Sequence, residues 1–222
     1  MFEKSNEIPP NPEKTTRWED AMAQVEQAKD RLGKGIDENI KETVAAFLVN
    51  DFPTRGSCEG HLEERFGKIR KIGPYIDVAV AEPKERFVGE SEIRTSIVGQ
   101  FNILSGNITQ NDDAGKAYWG YISAHHIQET SEYQEARKKN EKLKKRAEAL
   151  IGEFYSRQSS GAVHELRIRD VGPSGLFKIE GAQGFVREVL EKDQEQYRER
   201  LLSEQAGMKA LTEFLKNKFF ET

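Results

Sequence analysis

The stretch Pro53-Thr-Arg-Gly-Ser-Cys-Glu-Gly-His61 concentrates the chemistry of this chain and follows its first two helices. It carries the single cysteine, one of four histidines, and the glycines Gly56 and Gly60 around Ser57-Cys58-Glu59. Proline cannot continue a helix, so Asp51-Phe52-Pro53 closes the apolar segment before it. Thr54 to Cys58 reads as a short strand, bent by Gly56 and Gly60, that runs into a tight polar turn.

Upstream, Ile36, Ile40, Val44, Phe47 and Leu48 recur at helical spacing behind Asp37, a good N-cap. Before them, Thr16 and Glu19 form a capping-box pair. The helix that this pair opens carries Trp18, Ala21, Met22, Val25, Ala28 and Leu32 on one face, and Gly33 and Gly35 end it. Residues 1–15, with Pro9, Pro10 and Pro12, bury too little to order and read as a disordered arm.

Downstream, the charged residues 62–73 read as a loop, and Pro74 opens a second strand over Tyr75–Val80. Ser91 caps a helix with Ile93, Ile97, Phe101 and Leu104, stopped at Gly106. Asn111-Asp-Asp113 starts a short aromatic helix. A long helix is expected from about residue 126 to 157, with its charged middle, Arg137 to Arg146, facing solvent or another chain. Ser159-Ser-Gly161 is a turn. Val163–Val171 and Leu176–Glu180 read as a hairpin joined by Gly172-Pro-Ser-Gly175. The last forty residues read as helical, with Gly207 dividing them.

Strands come in pairs, without steady strand–helix alternation. That pattern predicts an α+β fold: a small, mainly antiparallel sheet with helices packed on one face and a long helical C-terminal region. The expected division is a disordered arm over 1–15, an α+β domain over 16–182 built around the 53–61 turn, and C-terminal helices over 183–222 that pack on the domain or on a partner.

The totals narrow the function classes. Of 222 residues, 36% are hydrophobic and 32% are charged with both signs mixed, which suits solvated amphipathic helices. The net charge of -4 gives no overall pull toward nucleic acid. The basic run Arg137 to Arg146 lacks interleaved aromatics, which disfavours single-strand stacking. One cysteine forbids an internal disulfide and fits a reducing, cytoplasmic setting. No run approaches the roughly 18 apolar residues of a membrane span, and the N-terminus lacks the pattern of a secretory signal. The expected partners are a small-molecule or phosphate-bearing ligand and a second copy of the chain, with no membrane.

Three chemistries compete at the turn. Cys58 and His61, three apart, can both reach one Zn²⁺. A structural site needs four ligands, which His125, His126, His164, Glu59 or Asp77 would have to complete, so no metal is assigned. Alternatively, Cys58 is a nucleophile with His61 as base and Glu59 beside it. Against this stands a cysteine that is simply small and buried. The third reading is a concave set of amides around Gly56 and Gly60, with Arg55, Ser57 and His61 at the rim and Arg55 or Asp77 orienting a phosphate or carboxylate. Against it, the glycines only let the chain bend. The leading expectation is a domain that binds or transforms a small-molecule, nucleotide or RNA ligand at this turn. The alternative is a helical interaction or oligomerisation protein without catalysis. Whether the chain is an enzyme, and with which cofactor, stays open.

The runs Gly35–Val44, Pro53–His61, Pro74-Tyr-Ile-Asp77 and Leu150-Ile-Gly-Glu-Phe-Tyr155 resemble a group of uncharacterised bacterial proteins. Those proteins share a Gly-Ile-x-Glu helix start, a Thr-x-x-Ser-Cys-Glu-Gly-His turn and a Pro-x-(Val/Ile) strand. The similarity spans about residues 35 to 180 and implies no particular activity. Ser57-Cys-Glu-Gly-His61 is also similar to the Ser-Cys-Ser-Gly-Arg turn of the tRNA wybutosine-synthesizing protein 3 family. In that family the turn serves an S-adenosylmethionine-dependent methyl transfer to tRNA. Ser57, Cys58 and Gly60 match, Glu59 and His61 depart, and Tyr75-Ile-Asp-Val stands where a tryptophan-rich strand belongs. The match covers five residues, and neither substrate nor cofactor is carried over on it.

Overall fold

A computed structural model describes residues 11–30, 32–101, 112–158 and 165–221. The chain groups into two compact units, one made of the segments up to Val80 and from Asn140 onward, the other of Ala81–Lys139. The C-terminal helix therefore belongs to the same unit as the 53–61 turn.

The first unit opens with α1 (Pro12–Gln27), which starts inside the segment expected to be an arm. The Asn11 side chain accepts the Glu13 N–H at 2.9 Å, and Pro12 follows it where a missing N–H removes no bond. Thr16, expected as the cap, lies within the helix and donates its hydroxyl to the Pro12 carbonyl. A 3-10 turn (Glu38–Ile40) leads into α2 (Lys41–Val49). Asp37 precedes it, but its carboxylate takes the Lys34 ammonium at 2.8 Å instead of a helix N–H.

The fold is α+β, with two small antiparallel sheets. The first runs in the order β1 (Thr54–Cys58), β4 (Tyr75–Val78), β6 (Leu176–Gly181), β5 (Leu166–Val171). Ile76, Val78, Phe177 and Ile179 point from it into a core shared with Val44, Phe47, Leu211 and Leu215. The alternate residues Tyr75, Asp77, Lys178 and Glu180 lie on the opposite face.

The second sheet corrects two sequence expectations. Residues 62–73 are no loop: β2 (His61–Arg65) and β3 (Lys68–Ile72) form a hairpin. Its turn residues, Phe66 and Gly67, both have left-handed backbones (φ 54° and 68°), as the tightest hairpins require. Only the tip of the hairpin, 64–68, is exposed; most of the rest is half-buried, and charged residues fill positions where a core strand would show an apolar alternation. The second correction is β7 (Val186–Val189), which lies in the stretch read as helix and pairs with β3. Phe185, Val186, Val189 and Leu190 have helical spacing, but pairing with β3 overrides it.

The last helix, α6 (Gln194–Glu221), passes through Gly207 unbroken. Leu201, Met208, Leu211, Leu215 and Phe219 form one buried face, so packing holds the helix across a residue of poor intrinsic propensity. Leu211 is fully buried, and Phe214 packs on Phe154 with ring centres 5.6 Å apart. Most of this apolar stripe is thus covered within the unit, while Leu202 stays 65% exposed. On β3, Lys71 is completely buried and meets Glu204 of α6 at 2.6 Å.

The long helix α5 (Ser131–Arg157) starts later than expected, because His126 adopts a left-handed backbone (φ 51°) and Thr130 accepts the Tyr133 N–H. Its charged middle does not simply face solvent. Asn140 and Leu143 are buried; Asn140 accepts the Val80 N–H at 2.7 Å and donates to the Ser174 carbonyl at 2.9 Å. Lys144 pairs with Asp170 at 2.7 Å.

The second unit holds α3 (Glu90–Phe101) and α4 (Asp113–Ala124) around Phe87, Ile97, Ala114, Tyr118 and Ile122. Asp112 caps α4, the expected aromatic helix, by accepting the Gly115 N–H at 2.6 Å. The Glu90 carboxylate gathers the Arg86 and Phe87 N–H groups, Arg94 and the Tyr118 hydroxyl. The expected features at Leu104, Gly106, Asn111, Ser159–Gly161, Val163 and His164 lie outside the described residues. No described helix is long and apolar enough to cross a membrane.

Candidate functional site

Strand β1 is an edge strand, paired among the described residues only with β4. Its register sets Gly56 beside Asp77, Ser57 beside Ile76 and Cys58 beside Tyr75. Because side chains alternate, Ser57 shares the helix-facing side with Ile76, whereas Cys58 lies on the other side with Tyr75. The residues that the sequence gathers into one site are therefore divided between two faces of a sheet.

On the Cys58 side the thiol is buried. The His61 imidazole comes within 3.6 Å of Sγ through Nδ1, and the Gly60 N–H points at the sulfur from 3.4 Å. Burial pushes the thiol above its ordinary pKa, and the Gly60 amide only partly offsets this. A nucleophilic cysteine needs the opposite shift. Nε2 of His61 stands 3.9 Å from Glu63. Among the described residues no group of three His, Cys, Asp or Glu side chains is arranged to hold a metal.

Gly60 is where the chain leaves the first sheet for the second. Its backbone is left-handed (φ 87°), and a Cβ there would lie 2.8 Å from the Pro74 nitrogen and 2.9 Å from a Leu201 methyl. Only glycine fits, for steric and conformational reasons together. Its carbonyl and that of Glu59 both accept from Gln205 Nε2, at 3.0 and 3.1 Å.

Asp77 lies on the Cys58 side, away from any described cavity. Burial raises its pKa, and Lys178 and Arg169 only partly offset that. The Lys178 ammonium stands 3.4 Å from Asp77 Oδ1 in an ion pair without hydrogen-bond geometry, because it sits 3.3 Å above the Tyr75 ring.

On the Ser57 side the chain opens. A cavity of about 350 Å³ lies between β1, the end of α1, the loop 28–37 and α2. Arg55, Gly56 and Ser57 form one wall, and Val25, Ile36, Val44 and Leu48 supply an apolar one. The loop adds Lys29, Lys34 and Gly35. A bridge between Lys29 and Gly35 shapes this loop, and the Asp30 carboxylate accepts the Leu32 and Lys34 N–H groups at 2.8 Å. The two acids at the rim are thus engaged: Asp30 by backbone amides, and Asp37 by Lys34, whose pKa the bond to Asp37 raises. Lys29 has no side-chain partner among the described residues. Arg55 spends one N–H on the Val80 carbonyl at 3.3 Å.

Of the expected ligand-binding residues, Arg55, Gly56 and Ser57 line this cavity, whereas Gly60 and Asp77 do not. Of the expected catalytic residues, Cys58 and His61 meet each other on the far side, and Glu59 lines a second cavity, beside α6. Lys29 and Lys34 escaped the sequence reading, which used Gly33 and Gly35 only as the end of a helix. The signal was present in the lysines placed between and before those glycines. No family model matches this chain, and neither a curated protein nor a solved structure is found to be similar to it.

Proposed function

We propose that the protein is a binding module for a small anionic molecule with an apolar body, held in the cavity along the free edge of β1. One observation carries this reading. Cationic groups from two separate segments, Lys29 and Arg55, converge on a cavity with an apolar wall and with its acids already engaged. Small-molecule sites pair apolar lining with a few placed polar groups, and about 350 Å³ falls within their usual range. Arg55 would meet the anion through the guanidinium N–H groups that Val80 leaves free, and Ser57 would donate its hydroxyl. The apolar body would lie on Val25, Val44 and Leu48.

Binding is favoured over thiol catalysis because Ser57, not Cys58, lines this cavity, and burial pushes the Cys58 thiol above its ordinary pKa. The helical interaction reading draws less support, since unit 1 covers most of the stripe on α6 and leaves Leu202 exposed. The test is calorimetric titration with phenyl phosphate, benzoate and phenol. The anions are expected to bind and phenol to bind at least about tenfold more weakly, a difference of about 1.4 kcal/mol. Arg55→Gln should remove most of that difference. Equal binding of phenol and the anions would overturn the reading.

A further inference from the structure

We infer that the second cavity, on the opposite side of the 59–60 turn, binds a small primary amine with an apolar stem. This cavity measures about 560 Å³ and lies between the 3-10 turn, α2, the 59–60 turn and α6. The inference is independent of the anion reading, because the two cavities share no lining residue.

The lining of this cavity is richer in open acceptors than in donors. Thr43 and Thr212, each 3% exposed, line the cavity and lie 2.7 Å apart through their hydroxyl oxygens. Thr212 donates its one hydroxyl proton to the Met208 carbonyl at 2.9 Å. The bond between the two threonines must then take its proton from Thr43. The Thr43 oxygen has donated its only proton, and its acceptor sites have no donor among the described residues. That oxygen is bonded through its proton to Thr212, and its lone pairs stay open to a ligand N–H.

Gln205 gives a parallel result. Its Nε2 serves the Glu59 and Gly60 carbonyls, which fixes the amide orientation and turns Oε1 into an acceptor without a described donor. Three carboxylates complete the wall. Glu38 pairs with Lys41, Glu42 meets Lys216 at 3.5 Å, and Glu59 accepts the Asn39 N–H at 3.1 Å. Glu59 has no cationic partner among the described residues, and an ionised carboxylate offers about four acceptor sites. Donors on the wall are few: the Lys209 ammonium and the side-chain amide of the exposed Asn39. Ile40, Leu202 and Met208 supply apolar surface, and Leu202 is 65% exposed at its side.

A ligand for this wall must bring donors, positive charge and a stem. An ammonium offers three donors and no acceptor, which fits a lining of acceptors better than a neutral or anionic head. Glu59 is the residue that attracts the charge, and Thr43 and Gln205 take N–H bonds beneath it.

The test uses the full chain and three probes that share a six-carbon stem: n-hexylamine, 1-hexanol and hexanoate. Hexylamine is expected to bind with a Kd of about 1 mM or tighter, and hexanol and hexanoate at least about tenfold more weakly. Glu59→Gln keeps an oxygen for the Asn39 N–H, so the fold should survive, and it should weaken hexylamine by about tenfold. Thr43→Val removes the unfilled acceptor at similar volume and should weaken hexylamine several-fold; a thermal melt checks that it folds. If it does not fold, Glu59→Gln and the alcohol comparison decide. Arg55→Gln should leave hexylamine binding unchanged, which separates this result from the fate of the anion reading. Equal affinity for amine and alcohol, tighter binding of hexanoate, no hexylamine binding, or indifference to Glu59→Gln would each overturn the inference.

Discussion

Arg55 and Glu59 stand four residues apart on one continuous stretch, yet they face cavities of opposite character. The Arg55 side presents cations whose acidic neighbours are engaged; the Glu59 side presents carboxylates and acceptors. Between them Cys58 is buried and turned to the other face of the sheet. A strand and a tight turn suffice for this separation. Alternation sends Ser57 and Cys58 to opposite faces, and the left-handed Gly60 then carries the chain into the second sheet. Residues clustered in sequence are dispersed in space because extended backbone alternates.

The largest loss is expected beneath the acidic cavity, at the buried ion pair. Lys71→Met should leave Glu204 buried without its cation, a loss of about 4 kcal/mol by the usual cost of breaking such pairs. Glu204 belongs to the same helix as Gln205 and Lys209, so urea denaturation should show a large drop in midpoint, and amine binding should suffer before anion binding. Gly60→Ala comes next. It combines a left-handed backbone with a contact at 2.8 Å to Pro74, and should destabilise by about 3 kcal/mol, read in the same denaturation experiment.

Cys58→Ala sharpens the contrast. It removes a buried sulfur that accepts the Gly60 N–H and should cost about 1 to 2 kcal/mol, with phenyl phosphate and hexylamine titrations unchanged. Loss of either binding with the fold intact would mean that the thiol takes part in a site. The smallest effect concerns acid. Burial pushes the Glu180 carboxyl up, but Arg169 and Arg167 pull it further down, to a net position below its ordinary 4.5. A carboxyl held low when folded stabilises above its unfolded pKa and loses that contribution as pH falls through the folded value. Asp77, raised by burial, works in the other direction. Melts followed downward from about pH 5 should therefore show stability falling, with Glu180→Gln flattening that slope and Asp77→Asn steepening it.

Much of the skeleton was legible in the residues. β1 matches the strand read between Pro53 and Glu59, and the Gly172–Gly175 hairpin and the Asp112 cap also stand where turn and cap chemistry place them. What escaped has identifiable causes. The β2–β3 hairpin is half-buried with an exposed tip, and it places charged side chains, even the buried Lys71, where an apolar alternation would have marked a strand. β7 has helical spacing by coincidence, and only its partner strand decides its state. The candidate site was legible as a location but not as an arrangement. Sequence marks 53–61 as chemically dense, but the faces depend on register with β4. The loop cations, Lys29 and Lys34, lie about twenty residues upstream, and the acidic cavity needs α6 from the far end of the chain.

Asn140 holds the Val80 amide and so fastens together the two points where residues 81–139 depart and rejoin. A segment whose ends already touch can be swapped for a short tether without stretching the remainder. Each halving of such a closed loop returns only about 0.6 kcal/mol of chain entropy, so its length is nearly free to vary. The polypeptide is thus built to tolerate cargo at this junction, and both cavities, made wholly from residues outside 81–139, should outlast the exchange.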